Sequence, residues 1–142
     1  MKGKFRVESD LIGELNVPEE ALYGVQTLRG LNNFEISKFH LNEYPLFIKG
    51  LAITKLAACQ ANHELGLLSD EKAKAMEQAC REIIDGKWHD QFPVDMIQGG
   101  AGTTTNMNAN EVIANRGLEI MGHKRGEYQY LSPNDDVNHA QS

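Results

Sequence analysis

Two apolar stripes at helical spacing, each closed by a glycine, constrain this chain more than any other feature. The first follows Pro45: Ile48, Ala52, Leu56 and Cys59 recur at intervals of three and four, with Leu51 beside them, and Gly66 ends the run. That period places side chains on one face of a helix, whereas a strand needs a period of two. The second stripe opens at Ser69, whose hydroxyl suits a helix N-cap, with Asp70 and Glu71 in the first turn near the positive end of the dipole. Ala73, Met76, Cys80, Ile83 and Ile84 form its apolar face, and Gly86 supplies a C-terminal cap. The expected fold class is mainly α.

The flanking segments add smaller elements. Residues 5–17 predict a hairpin: Phe5 and Val7 alternate with polar residues, Ser9, Asp10 and Gly13 carry turn chemistry, and Leu15 and Val17 alternate again. Pro18 followed by Glu19 and Glu20 predicts a helix start, with a short helix to about Leu31 and Gly24 as a break point. Residues 87–105 lose periodicity and contain Pro93, Gly99, Gly100 and Gly102, so a long loop is expected; such loops are usually functional or mobile. A fourth helix should start near Asn106 and end before Gly122. Residues 123–135 are polar and irregular. A last helix is expected around Asp135, but too few residues remain to stabilise it, so the chain reads as cut short at Ser142.

Composition excludes several classes. The chain has 142 residues, 41% hydrophobic and 24% charged, which fits one soluble globular domain. Its net charge of −6, without a basic stripe, argues against nucleic-acid binding. A small anion is not excluded, because local donors outweigh a weak global field. No apolar run approaches the ~20 residues of a membrane helix: the best candidate, Leu46 to Cys59, is broken by Lys49 and Lys55. The basic N-terminus has no apolar stretch behind it, so no secretory signal is expected. Cys59 and Cys80 lack a CxxC partner and read as reduced core thiols of a cytoplasmic protein. His40, His63, His89, His123 and His139 are scattered, so neither a metal site nor a cofactor is expected.

The stretch Gln98-Gly99-Gly100-Ala101-Gly102-Thr103-Thr104-Thr105-Asn106-Met107-Asn108 carries the chemistry. Glycines let a ligand approach the backbone, and hydroxyls follow at the start of a helix, where unpaired N–H groups attract anions. This is a carboxylate or phosphate cradle in outline. It is not a P-loop, for no Gly-Lys-Ser/Thr follows, and it lacks the G-x-G-x-x-G dinucleotide spacing. The stretch also reads as a plain turn capped by Thr105 or Asn106, and local chemistry alone favours that simpler reading. Ser132-Pro133-Asn134-Asp135-Asp136-Val137-Asn138-His139-Ala140-Gln141-Ser142 is likewise dense in hydrogen-bonding groups, with a capped turn as the simpler reading.

Together these motifs resemble the aspartase/fumarase superfamily, and within it the aspartase-type ammonia-lyases. The matching segments are Glu8 to Gly13, Tyr23 to Arg29, Gln91 to Asp95, Gln98 to Asn115, Met121 to His123 and Gly126 to Tyr130, nearly the whole chain. Class II fumarases typically have tryptophan at Tyr23, Gln-Thr-Gly-Ser-Gly-Thr at Gln98 to Thr103 and often histidine at Ser132, and they lack the Gly126 to Tyr130 signature. On all four points this chain is similar to an aspartase. The resemblance implies the helical N-terminal domain of the L-aspartase-like fold, here residues 1–142, ending before a central helical bundle. It implies reversible elimination of ammonia from L-aspartate to give fumarate through an aci-carboxylate intermediate, in a homotetramer. Donors aimed at the carboxylate that gains charge stabilise the transition state, at roughly 3–4 kcal/mol each.

By the same resemblance the substrate-binding residues are Thr103, Thr104, Asn106, Ser142 and Arg29. Thr104 stands where aspartases commonly have serine, so its hydroxyl is kept and a methyl added. Arg29 matches an arginine near the site entrance, with a plain ion pair as an equal alternative. The family's base serine, on a glycine-rich loop, lies beyond residue 142, so the catalytic residues are expected elsewhere and these 142 residues alone to be inactive. Lacking the central helices, the piece is expected to expose apolar surface around Met107, Val112, Ile113, Ile120 and Met121 and to self-associate. A fumarase fragment and a free-standing helical anion-binding module are the competing readings.

Overall fold

Strands β1 (Phe5–Asp10) and β2 (Gly13–Pro18) pair antiparallel, from Phe5 opposite Pro18 to Asp10 opposite Gly13, in a computed structural model that describes residues 3–140. Asp10 makes the turn: its Oδ1 accepts from the amides of Ile12 (2.9 Å) and Gly13 (3.1 Å). The alternation holds, but β1 faces the opposite way from an apolar-in strand. Phe5 and Val7 are exposed, whereas Arg6, Glu8 and Asp10 point inward and Glu8 is buried. The inner face meets a helix N-terminus, which needs acceptors rather than hydrocarbon.

That helix corrects the expected start at Pro18. Pro18 ends β2, the Glu19 amide donates to the Lys4 carbonyl at 2.9 Å, and α1 (Val25–Asn33) begins only after Gly24. Pro18 closes a strand, where its missing N–H is harmless, and the carboxylates at the positive end of α1 are Glu8 and Glu111, not Glu19 and Glu20.

Helices α2 (Pro45–Glu64) and α3 (Asp70–Ile84) carry the two stripes and pack against each other. Ile48, Ala52 and Cys59 of α2 and Ala73, Met76, Cys80 and Ile83 of α3 are buried in one core. Ser69 caps α3 by accepting from the Lys72 amide, and Gly66 and Gly86 take the left-handed backbone after each helix. The long segment that follows is anchored in its first half. Trp88 adopts a left-handed conformation, His89–Gln91 form a 3-10 turn, and Val94 and Met96 exchange backbone bonds with Leu41 and Phe39.

Helix α4 (Thr103–Ile120) starts three residues before Asn106 and packs against α1, α2, α3 and the turn at Pro133–Val137. The expected exposed face is therefore corrected. Val112 and Ile113 are fully buried and Met107 nearly so, while Ile120 and Met121 are half-buried against the core. Burying each such side chain is worth roughly 1.5–3 kcal/mol. The exposed apolar side chains lie instead on the outer face of α2 (Leu46, Phe47, Ile53), at Met96 and Ile97, and at the hairpin tip (Leu11, Ile12). The helix expected at Asp135 is a single wide turn, Pro133–Val137, in which the Ser132 hydroxyl accepts from Asp135 and its carbonyl from Val137. Cys59 and Cys80 are both buried and unpaired as disulfides. Among the described residues no helix is long and apolar enough to cross a membrane.

Candidate functional site

The first turn of α4 forms the centre of the site. Gly100 and Gly102 have φ of 72° and 86°, a left-handed backbone that L side chains rarely adopt, and Gly102 is the N-cap. Neither Thr105 nor Asn106 caps the helix. Gln98 does so from upstream: its Oε1 accepts from the Thr105 amide (2.8 Å) while its Nε2 donates to Thr105 Oγ1 (2.7 Å) and the Asp95 carbonyl (3.2 Å). Among the described residues the amides of Thr103 and Thr104 donate to no acceptor, which leaves the positive end of the helix open. Thr103 is exposed and lines a cleft of about 820 Å³ with Gln26, Glu111, Ser132 and Asn134. Thr104 turns its methyl to α1, directly over Gly30.

Asn106 faces the neighbouring groove. Its Oδ1 accepts from Lys55 Nζ at 2.6 Å, and its Nδ2 donates to Asn138 Oδ1 at 3.0 Å. Lys55 is 2% exposed, lies on the buried face of α2, and is pushed down to about 8 by burial. Asn138 Oδ1 also accepts from Asn110 Nδ2 (3.0 Å) and, more distantly, from Lys55 (3.4 Å).

Two buried carboxylates hold the wall between cleft and hairpin. Glu111 Oε2 accepts from the Gly24 amide (2.7 Å), the Thr27 amide (3.1 Å) and the Thr27 hydroxyl (2.6 Å); its Oε1 accepts from the Gln26 amide (2.7 Å). Burial pushes Glu111 up to about 7, against the opposite pull of those donors. Glu8 Oε1 accepts from the Val25 amide (3.1 Å) and the Tyr128 hydroxyl (2.7 Å). Gly24 leaves no room for a side chain: a β-carbon would lie 2.6 Å from Glu8 Oε1, 3.0 Å from Glu111 Cδ, and overlap the Tyr128 hydroxyl. Arg29 is engaged nearby. Its Nε and one terminal nitrogen bind the two oxygens of Asp10 at 2.6 and 2.7 Å, and the same terminal nitrogen donates to the Gly13 carbonyl at 2.9 Å. That guanidinium holds Asp10 down to about 2.

Of the residues singled out from sequence, the fold brings Thr103, Thr104 and Asn106 onto one helical turn. Arg29 sits behind Asp10, which lines the same cleft as Thr103. Ser142 lies outside the described residues. Sequence reasoning missed Glu8, Lys55, Glu111 and Asn138. For Lys55 a signal existed: it falls three residues after Ala52 and four before Cys59, on the apolar stripe itself. Glu111 gave the same signal, four residues from Met107 and from Asn115 on the buried side of α4. Among the described residues, no group of three His, Cys, Asp or Glu side chains is placed to hold a metal ion.

This helical unit sets an open, hydroxyl-bearing helix start beside a cleft of mixed apolar and polar lining. The family model described as Lyase matches residues 13–142, and the chain belongs to that family. It is 60% identical over 138 residues to an aspartate ammonia-lyase of Pseudomonas fluorescens, covering 97% of this chain and 29% of that protein. It is 52% identical to the aspartate ammonia-lyase of Escherichia coli (strain K12), covering 100% of this chain and 30% of that protein. A solved fumarate lyase:delta crystallin from Brucella melitensis, bound to cobalt, superposes with a TM-score of 0.96 at 51% identity, over 98% of this chain and 30% of that one. A class II fumarase from Schistosoma mansoni superposes at 0.88 with 38% identity, over 98% of this chain and 29% of that one. The chain thus spans about 30% of the length of the curated relatives it matches.

Proposed function

We propose that this chain is the N-terminal, carboxylate-binding part of an aspartate ammonia-lyase, which eliminates ammonia from L-aspartate to give fumarate. The observation that carries the reading is Thr103: an exposed hydroxyl at the open N-terminus of α4, lining a cleft of mixed apolar and polar walls. Removal of a Cβ proton sends negative charge onto the adjacent carboxylate. Hydroxyl and amide donors fixed at a helix start are already oriented for that charge, so they stabilise the transition state more than the substrate. Ser142 would complete the carboxylate contacts, Asn106 would help shape the site from the neighbouring groove, Thr104 would add a second hydroxyl, and Arg29 would act at the entrance through its pair with Asp10. The base and the remaining substrate contacts would come from beyond residue 142 and from other subunits of a homotetramer. Two buried free thiols fit a cytoplasmic setting.

Aspartate is favoured over malate by the relatives: the aspartate ammonia-lyases are 52–60% identical, the class II fumarase 38%. The test is fumarate release from L-aspartate and from L-malate, followed by the ultraviolet absorbance of fumarate. The full-length protein carrying this sequence should turn over aspartate, the 142-residue chain neither substrate. Thr103→Val in the full-length protein should lower kcat by roughly 100-fold or more, the usual effect of removing one oriented donor. Turnover of malate in place of aspartate moves the chain to the fumarase reading, and sustained turnover by the 142-residue chain overturns the need for residues outside it.

A further inference from the structure

Lys55 is a buried ammonium that meets no carboxylate among the described residues. It lies at 2% exposure on the stripe of α2 that also buries Ile48, Ala52, Cys59 and Asn62. Its partners are neutral amide oxygens: Asn106 Oδ1 at 2.6 Å and Asn138 Oδ1 at 3.4 Å. Keeping a charge in such a place is unfavourable, since burial disfavours the ammonium and no carboxylate among the described residues offsets it. A methionine would fill the same volume without that penalty.

What the ammonium supplies is orientation. An asparagine amide has one accepting and one donating end, and either end fits a neutral pocket. An ammonium only donates, so it accepts one orientation alone: Asn106 oxygen toward α2, amino group toward the Pro133–Val137 turn. In that orientation Asn106 Nδ2 reaches Asn138 Oδ1 at 3.0 Å, and Asn110 Nδ2 reaches the same oxygen at 3.0 Å. Asn138 Oδ1 is the point where α2, α4 and the turn meet. A flipped Asn106 would aim its amino group at the Lys55 ammonium and its oxygen at the Asn138 oxygen, two repulsions in place of two bonds. The buried Oδ1 of Asn110 is left without a donor, so that amide is held through its donating end alone.

We infer that Lys55 is a positioning residue for the substrate site: it fixes the amide of Asn106 and, through Asn138, the segment running toward Ser142. The role rests on the reading of Thr103, Asn106 and Ser142 as residues of the substrate site. Lys55 acts through Asn106, its partner at 2.6 Å. It sets which end of Asn106 is presented at the first turns of α4, and how the two site segments stand to each other.

The test is steady-state kinetics with L-aspartate on the full-length protein and its Lys55→Met, Asn106→Ala and double variants, with the thermal midpoint of each. Lys55→Met should raise KM or lower kcat/KM by roughly 10- to 100-fold, the scale of a small misplacement in a site. Its midpoint reads folding separately, because a desolvated charge is removed while Asn106 Oδ1 loses its donor. The double variant should be no worse than Asn106→Ala alone, because Lys55 acts through Asn106. Unchanged kinetics in Lys55→Met overturn the role. So does a double variant whose loss is the product of the single losses, which would make Lys55 independent of Asn106. A lowered midpoint with unchanged kcat/KM assigns Lys55 to folding only and also overturns it. No turnover of aspartate by the wild-type protein overturns the functional reading itself, a result distinct from an inactive variant beside an active wild type.

Discussion

Replacing Gly30 by alanine should change sign with the residue at position 104. Gly30 lies inside α1 and is buried. A β-carbon there would overlap the Cγ2 methyl of Thr104 and stand 3.6 Å from its Cβ and Oγ1. Two terms oppose each other. Alanine is favoured over glycine in a helix interior by about 0.5–1 kcal/mol. Forcing a methyl into filled space costs about 1–3 kcal/mol, and a β-branched neighbour has few rotamers to retreat into. The overlap wins, so Gly30→Ala should destabilise by roughly 0.5–2 kcal/mol. Thr104→Ser removes Cγ2 and keeps the hydroxyl; the atoms left at 3.6 Å are ordinary neighbours. In the serine background the same Gly30→Ala should stabilise by about 0.5–1 kcal/mol. The cycle isolates a coupling of about 1–3 kcal/mol. Thermal unfolding of the four proteins by far-ultraviolet circular dichroism reads it at roughly 3–5 °C per kcal/mol for a chain of this size. Additivity within about 0.5 kcal/mol would refute the contact, and with it the placement of the Thr104 methyl over α1 rather than in the cleft.

Two further outcomes follow from the carboxylates Glu111 and Asp10. Glu111→Ala strips the acceptor from the amides of Gly24, Gln26 and Thr27; orphaned buried donors are worth about 1–3 kcal/mol each, so a net loss of about 3–5 kcal/mol in urea unfolding is expected once entering water recovers some of it. Because Glu111 is raised from 4.5 to about 7, its contribution is complete below pH 4.5 and declines as pH rises through about 7; a Glu111→Ala variant should lack that decline, and a parallel pH profile would count against it. Asp10 has the opposite sign: lowered from 3.8 to about 2, it stabilises above pH 3.8 and the effect is lost as pH falls through about 2. Asp10→Asn should remove that part of the acid transition, and an unchanged acid profile by circular dichroism would show that the pair with Arg29 is not formed in solution.

The helices were legible because a period of three and four survives without knowing the partner: Ile48, Ala52 and Cys59 are buried as their spacing requires. The glycine-rich start of α4 was legible because Gly100 and Gly102 need a backbone that other residues resist. The start of α1 was not. Its amides are satisfied by Glu8, 17 residues before Val25, and by Glu111, 87 residues after Gly24, and no local pattern carries bonds of that range. The inward face of β1 was hidden for the same reason, since Glu8 is buried to serve a helix that lies later in the chain. The face of α4 expected to be exposed for want of the central helices is covered by α1, α2, α3 and the Pro133–Val137 turn, and the helix buries polar residues beside apolar ones. Asn108, Asn110, Glu111 and Asn115 are all at most 1% exposed, so no amphipathic stripe marks the inner side.

Those polar residues explain why α4 is built as it is. Asn106 and Asn110 hold Asn138 in the turn that precedes Ser142. The Asn108 amino group donates to the Gln91 carbonyl at 2.9 Å, anchoring the segment that leads to Gln98. Glu111 gathers the first amides of α1. Asn115 donates to the Leu22 carbonyl (2.7 Å) and the Tyr128 hydroxyl (3.0 Å) and accepts from the Gly126 amide (2.8 Å). These bonds end on the start of α1 and on irregular segments distant in sequence, around Leu22, Gln91, Gly126 to Tyr128 and Asn138. An apolar helix of the same volume would pack as tightly and bury its surface as well, yet it would leave every one of these segments free to slide, because hydrophobic contact has no direction. Directional bonds from one rigid helix convert loops distant in sequence into fixed walls. On the proposed reading the site holds a small dicarboxylate in one orientation, which needs walls placed to within about half an ångström. The unusual polarity of the core is thus a consequence of building the site from loops, with α4 as their common anchor.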